Sequence, residues 1–193
     1  MRHLLIFTVA TLLLTACHKQ PERPSPVNQH PQMHYLDLGN AEVKYLQGKG
    51  FDINGDGKTD FWFHVQLVGD PLLQRDRLQF IASSTIHSNL LNDPDDHSPV
   101  LNRMDPISPI MVGYDWWEIS AIVLTEKIMM IAGSYWEGAW KNAVHKYLPI
   151  QLETQGKNYQ GWVELTFDMD KEKLILHRAA LCTEAEKEVK AGY

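Results

Sequence analysis

An all-β fold is expected, an antiparallel β-sandwich or jelly-roll-like single domain with little helix, on three observations. Apolar and polar residues alternate with a period of two in several short runs. Turn-forming residues separate those runs. Only the closing segment EAEKEVK, residues 184–190, has a helical composition, and it is short.

The elements follow in order. Phe61, Phe63, Val65 and Leu67 alternate with Trp62, His64, Gln66 and Val68, which predicts a strand over 61–68. RLQFIA (77–82), WEISAIVL (117–124) and KIMMIA (127–132) are further strand candidates. HKYLPIQLE (145–153) precedes Gln155-Gly156-Lys157, a turn signal, and then YQGWVELTFD (159–168). A second turn, DMDKEK, leads to LILHRAA (174–180), so the last third reads as an antiparallel meander. Residues 83–109 interrupt the pattern with prolines, two Asp-Pro pairs and many small polar residues. They are expected to form one long loop, a kind of segment that is often functional.

The chain begins MRHLLIFTVATLLLTAC. Arg2 makes a positive n-region, and Leu4 to Leu14 form an apolar run too short to span a bilayer as a stable helix. Leu14-Thr15-Ala16-Cys17 resembles the bacterial lipobox. The resemblance implies a signal peptide over 1–16, cleavage before Cys17, and acylation of Cys17 by palmitate or a similar chain. It therefore implies an exported bacterial membrane lipoprotein. His18, rather than Asp, follows the cysteine, which implies the outer membrane if the cell is Gram-negative. Each buried acyl CH₂ contributes about 0.8 kcal/mol, so the lipid on Cys17 would serve as the membrane partner. Residues 17–32 continue as a proline-rich stretch with few large apolar residues, expected to be an extended tether. Residues 33–193 are then the folded domain, about 160 residues, long enough for one core.

The formal net charge is −6, and no basic run or basic-aromatic patch occurs, so nucleic acid is not an expected partner. With Cys17 lipidated, Cys182 stands alone, and its apolar surroundings LHRAALCTEA predict a buried structural thiol.

The densest constellation of chemistry is FDINGDGKTDFWF, residues 51–63. Asp52, Asn54, Asp56 and Asp60 place oxygens at near-alternate positions, with Gly55 and Gly57 permitting sharp bends. Carboxylates this close repel one another unless a cation lies among them. Ca²⁺ takes six to eight oxygen ligands, and short Asp and Asn side chains let one tight loop supply several. The Lys58 carbonyl would be a further ligand, its ammonium pointing away. An EF-hand would need Glu where Phe63 stands and a helix where a strand is expected. DINGDGKTD instead resembles the D-x-N-x-D-G-x-x-D loops of FG-GAP and related secreted β proteins and, less closely, of dockerins. The resemblance implies a Ca²⁺ cofactor with a structural role. A plain hairpin turn would explain both glycines but not Asp52 and Asp60.

A wider resemblance joins this loop to KYLPIQLE, NYQGWVELTFD and LILHRAA. In this order they resemble a family of secreted or lipid-anchored bacterial β-domain proteins of unassigned function. In that family a calcium-type loop opens the domain and a YLPI…GWVEL…LH-x-AA ending closes it. Gln160 departs from it, standing where Tyr or a similar residue often precedes Gly-Trp. The resemblance carries no catalytic residue across.

Two aromatic clusters, GYDWWEIS and GSYWEGAW, hold Trp116, Trp117, Trp136 and Trp140, the candidates for stacking on a carbohydrate or other cell-surface ligand. The same rings also suit a core. Trp116 and Trp117 are adjacent, so on a strand one faces in and one out. Asp115, Glu118, Glu137 and Glu164 are isolated carboxylates, and no G-x-S-x-G or H-E-x-x-H pattern occurs. His64, His87, His97 and His145, with Asp93, Asp95 and Asp96, show no tight ligand spacing. The sequence therefore points to an exported, membrane-anchored, calcium-binding β-domain that binds a ligand or surface, with a carbohydrate-active hydrolase as the alternative.

Overall fold

A computed structural model describes residues 30–193. The expected signal peptide, Cys17 and most of the tether lie outside the described residues. Among the described residues there is no α-helix. The strands are β1 (Met33–Val43), β2 (Gly48–Phe51), β3 (Phe61–Asp70), β4 (Arg75–Ser84), β5 (Ser88–Asn92), β6 (Pro106–Ile107) and β7 (Asp115–Glu118). Then come β8 (Ala121–Met130), β9 (Gly133–Glu137), β10 (Lys146–Thr154), β11 (Lys157–Asp168), β12 (Lys173–Cys182) and β13 (Val189–Lys190).

They form two main antiparallel sheets, which makes the fold the expected all-β sandwich. The larger sheet runs β1-β12-β11-β10-β5-β7 and the smaller β2-β3-β4-β8-β9. Alternation decides which face meets the core. Phe61, Phe63 and Val65 of β3 are buried while Trp62 and Gln66 are exposed. On β11, Val163, Leu165 and Phe167 face the opposite sheet and join Phe63, Phe80, Ile122 and Leu124 in one apolar cluster.

β11 is buried on both faces. Its outward residue Trp162 belongs to a second cluster with Leu101, Ile107, Tyr147, Cys182, Val189 and Ala191. The segment around β6 and the C-terminal segment fold over the outside of the large sheet, and the β6–β13 pairing ties them together. Cys182 is a free, buried thiol, as expected, and burial pushes its pKa up.

Four expectations need correction. Residues 83–109 are not one loop, because β5 lies within them and pairs with both β10 and β7. The run 117–124 is not one strand. β7 ends at Glu118 in the large sheet and β8 starts at Ala121 in the small one, with Ile119 between them at φ 52. Residues 127–132 mostly continue β8. The helical composition of 184–190 yields to tertiary contacts: Val189, fully buried, pairs with Ile107.

Packing also starts before residue 33. The His30 ring stacks on Tyr193 with centroids 3.6 Å apart, and Thr183 N–H donates to the Gln32 carbonyl at 2.8 Å. Among the described residues no helix is long and apolar enough to cross a membrane.

Candidate functional site

The loop 52–60 connects β2 to β3 in the small sheet. Its base is closed by Asp60 N–H donating to the Phe51 carbonyl at 2.9 Å. Thr85, just past β4, fastens the far side, its N–H on the Asp60 carbonyl at 3.0 Å and its hydroxyl on the Thr59 carbonyl at 2.7 Å.

Inside the loop the acidic side chains organise the backbone. Asp52 Oδ1 accepts from Gly55 N–H at 2.6 Å, and its Oδ2 accepts from Gly57 N–H at 2.7 Å. Asn54 Oδ1 accepts from Asp56 N–H at 2.9 Å, and Asp56 Oδ1 from Lys58 N–H at 2.8 Å. Asp60 Oδ2 accepts from Ile53 N–H at 2.7 Å. Gly55 and Gly57 sit at φ 78 and φ 86, left-handed conformations that favour glycine. The strand expected after the loop is β3; the short strand before it, β2, was not anticipated.

Its electrostatics are unbalanced. Asp60 is only 5% exposed. Burial pushes its carboxyl up; the amides of Ile53 and Asn54 oppose the rise, and the charges of Asp52 and Asp56 add to it. None of the ion pairs among the described residues includes Asp52, Asp56 or Asp60.

The donor set is hard oxygen throughout and fits Ca²⁺ rather than a soft metal. Among the described residues, no three His, Cys, Asp or Glu side chains converge as a metal cluster. Asp52, Asp56 and Asp60 would have to draw together around an ion, with Asn54 and the Lys58 carbonyl completing the shell. The loop also forms one wall of a groove of about 520 Å³, faced by Thr85, His87 and Glu153.

The aromatic candidates separate. Trp140 is fully buried, its Nε1–H pointing to the Ser98 carbonyl at 3.3 Å, so it is core and not a ligand platform. Trp136 packs edge-on against Phe167 with centroids 4.9 Å apart and lies beside Phe80, which also makes it a packing residue. Trp116 packs against the second apolar cluster. Trp117, 56% exposed, is the one of these four open to solvent, at the β7 edge of the large sheet.

The four histidines considered for a metal do not converge. His64 is half-buried on β3, His87 lies between Glu118 and Glu153, and His97 pairs with Asp93 in its own turn. His145 faces Glu164. Of the isolated carboxylates, Asp115 and Glu118 lie on β7 and Glu137 on β9, while Glu164 on β11 is bonded to Arg178 and His145.

A second polar centre lies on the outer face of the large sheet, and most of its members were not legible in the sequence. Glu164 of β11 is buried and pairs in register with Arg178 of β12. Its Oε2 accepts from Arg178 Nε–H at 2.6 Å, and its Oε1 lies 2.7 Å from His145 Nδ1. The His145 ring stacks on His177 with centroids 4.4 Å apart. His177 Nδ1 is 2.7 Å from Asn40 Oδ1, and its Nε2 is 2.8 Å from Thr166 Oγ1. Thr166 Oγ1 in turn accepts from His145 N–H at 3.0 Å.

Backbone irregularities assemble this network. The β1–β12 register shifts between Asp37 and Ala41, and the β11–β12 register between Glu164 and Leu165. Such bulges re-aim side chains. Asn40 at φ 53 and His145 at φ 48 hold left-handed conformations uncommon for non-glycine residues.

Desolvation alone would raise the Glu164 carboxyl. The hydrogen bonds from Arg178 and His145 outweigh it and hold the carboxyl below the usual glutamate range. Burial, with the neighbouring His145 charge, depresses His177. A carboxyl with a lowered folded pKa stabilises the fold above its unfolded value, about 4.3, and loses that contribution as the pH falls through the lower folded value. Glu164→Gln should therefore cost about 1–2 kcal/mol near neutral pH. That is less than for a fully buried pair, because Arg178 and His145 are open to solvent. The gap from wild type should close in acid. Denaturant titrations across pH check this, and an equal gap at every pH would refute it.

Comparison with family models, with curated proteins and with solved structures returns no match for this chain.

Proposed function

We propose that this chain is an exported lipoprotein, anchored through Cys17, whose β-sandwich holds a structural Ca²⁺ in the loop 52–60 and presents a ligand-binding surface. The observation that carries the calcium reading is the charge imbalance of the loop. Three carboxylates and one carboxamide share a nine-residue connection, no cationic side chain pairs with them among the described residues, and the most buried one, Asp60, is pushed toward its neutral form. A divalent cation would relieve that repulsion and fix the β2–β3 hairpin. The lipobox-like leader supports export, where millimolar calcium suits a loop of this type. A carbohydrate or other cell-surface molecule is the class of ligand proposed, and the outer membrane the location in a Gram-negative cell.

Thermal melts of the full chain in EDTA, then with added Ca²⁺ or Mg²⁺, test the ion site. A ligand at a hundredfold excess over its dissociation constant stabilises the folded state by about 2.7 kcal/mol. For a domain of this size that is an upward Tm shift of roughly 5–10 °C. Mg²⁺ should shift Tm less, because it demands near-octahedral geometry and keeps its waters. The Ca²⁺ shift should vanish when Asp52 and Asp56 are both replaced by Ala. No Ca²⁺ shift in a folded sample would reduce the loop to a turn held by its own side chains.

A further inference from the structure

The second polar centre opens into a cavity of about 500 Å³, faced by Tyr35 and Asp37 from β1, Asn40 from the bulge, and the His145, Glu164 and Arg178 set. We infer that this cavity is a binding site for a neutral, polyhydroxylated ligand, a sugar unit of a glycan. The inference rests on the binding-module part of the reading above and not on calcium.

The argument is one of unspent hydrogen-bonding capacity. The neutral form of the His145 ring, with its Nδ1–H on the Glu164 carboxylate, leaves Nε2 as an acceptor. Asp37 uses Oδ1 on Gly39 N–H at 2.8 Å, and Oδ2 remains. Those are two acceptors. On the donor side, Arg178 gives Nε–H to Glu164 and carries further N–H groups on its terminal nitrogens. Asn40 turns its Oδ1 to His177 and keeps its amino group. A hydroxyl both donates and accepts, so a pair of neighbouring hydroxyls matches this mixture of donors and acceptors.

Other ligand classes fit worse. An oxyanion only accepts, and it would approach both Asp37 and Glu164. A transition metal would find a single free ring nitrogen, because His177 spends both of its own on Asn40 and Thr166. An organic cation would meet Arg178.

The site also has an apolar floor and little freedom. Tyr35 is 48% exposed, and its ring rests edge-on against buried Trp162 at 6.4 Å, so its position is fixed from beneath. Arg178 lies over the same Trp162 ring at 5.2 Å. A tyrosine face of this kind covers the C–H face of a sugar ring while polar neighbours take its hydroxyls. The network from Asn40 through His177 and Thr166 to His145 holds these groups in place before a ligand arrives, which lowers the ordering cost of binding.

The test uses the ¹⁵N-labelled full chain in a non-glycosidic detergent, titrated separately with cellotriose, maltotriose and triacetylchitotriose, and with phosphate and acetate. At least one trisaccharide should give saturable amide shifts confined to residues 35–40, 145, 164–166 and 177–178. Tyr35→Ala, a change at an exposed ring, should weaken that binding about tenfold or more, equivalent to about 1.4 kcal/mol. Asn40→Gly should do the same while keeping the backbone conformation, because glycine accepts a positive φ. The Asp52→Ala, Asp56→Ala double variant should still bind the sugar, which separates this site from the calcium loop. Unmoved amides with all three trisaccharides, or tighter binding of phosphate or acetate, would overturn the inference.

Discussion

Phe80→Ala is expected to lower stability by about 3–5 kcal/mol, the usual cost of removing a fully buried aromatic side chain from a core. Phe80 is fully buried on β4 of the small sheet, and its ring meets Phe167 of β11, in the large sheet, with centroids 4.8 Å apart. Trp136 of β9 closes the triangle, 6.0 Å from Phe80 and 4.9 Å from Phe167. These three rings bridge the two sheets, so truncating one leaves a cavity at the joint of the sandwich. For a domain of this size the loss corresponds to a Tm drop on the order of 10 °C. Denaturant unfolding followed by tryptophan fluorescence measures the loss. A cost below about 1 kcal/mol would mean that Phe80 does not join the sheets.

The parts of this fold that were legible in the sequence share a physical cause. Strands β3, β4 and β10 to β12 each have a long alternating or apolar stretch, and the turns β3–β4, β10–β11 and β11–β12 each hold a residue at positive φ: Gln74, Gln155 with Gly156, and Glu172. Gln155 at φ 54 and Gly156 at φ 70 form the two-residue connection of β10 to β11, with Thr154 opposite Lys157. That is the geometry expected of a primed hairpin turn. β5 was hidden because its five residues, SNLLN, sit among prolines and aspartates and have no alternation of their own. They are a strand because β10 and β7 offer them partners on both sides.

The two polar centres differ in the same way. The oxygens of the loop 52–60 are contiguous, so their spacing is visible in the chain. The Glu164 centre draws Asn40 and Arg178 from strands more than a hundred residues apart in sequence and meets only through register. Its bulges break the strict alternation on which strand reading depends. Glu164 and His145 were each noticed separately, as an isolated carboxylate and an isolated histidine. The antiparallel pairing of β11 with β12 was expected from the meander; the bulge that sets its register and the pairing of β1 with β12 were the missing pieces.

The β11–β12 pairing is itself exposed to a single methyl group. Gly161→Ala should cost about 3 kcal/mol or more, at the upper end of overpacking effects, because no side-chain rotation relieves it. A Cβ at Gly161 would collide with the Ala180 carbonyl oxygen and lie 3.2 Å from Leu181 Cα. Both are backbone atoms of β12, so β11 and β12 must part to admit it. Gly161 stands directly opposite Leu181 on one side and Ile150 of β10 on the other, in the middle of the large sheet. Three residues further along the same strand pair, Glu164 faces Arg178. Strain at Gly161 should therefore reach the second polar centre: the Arg178 amide should shift and the Glu164–Arg178 contact should weaken. The loop 52–60 hangs from the other sheet, and the Ca²⁺ response proposed for it should survive in whatever fraction remains folded. A stable Gly161→Ala variant with unchanged amide shifts near Arg178 would refute the close approach of β11 and β12. Loss of the Ca²⁺ response in a still-folded variant would instead show that the two sites report on one another through the core.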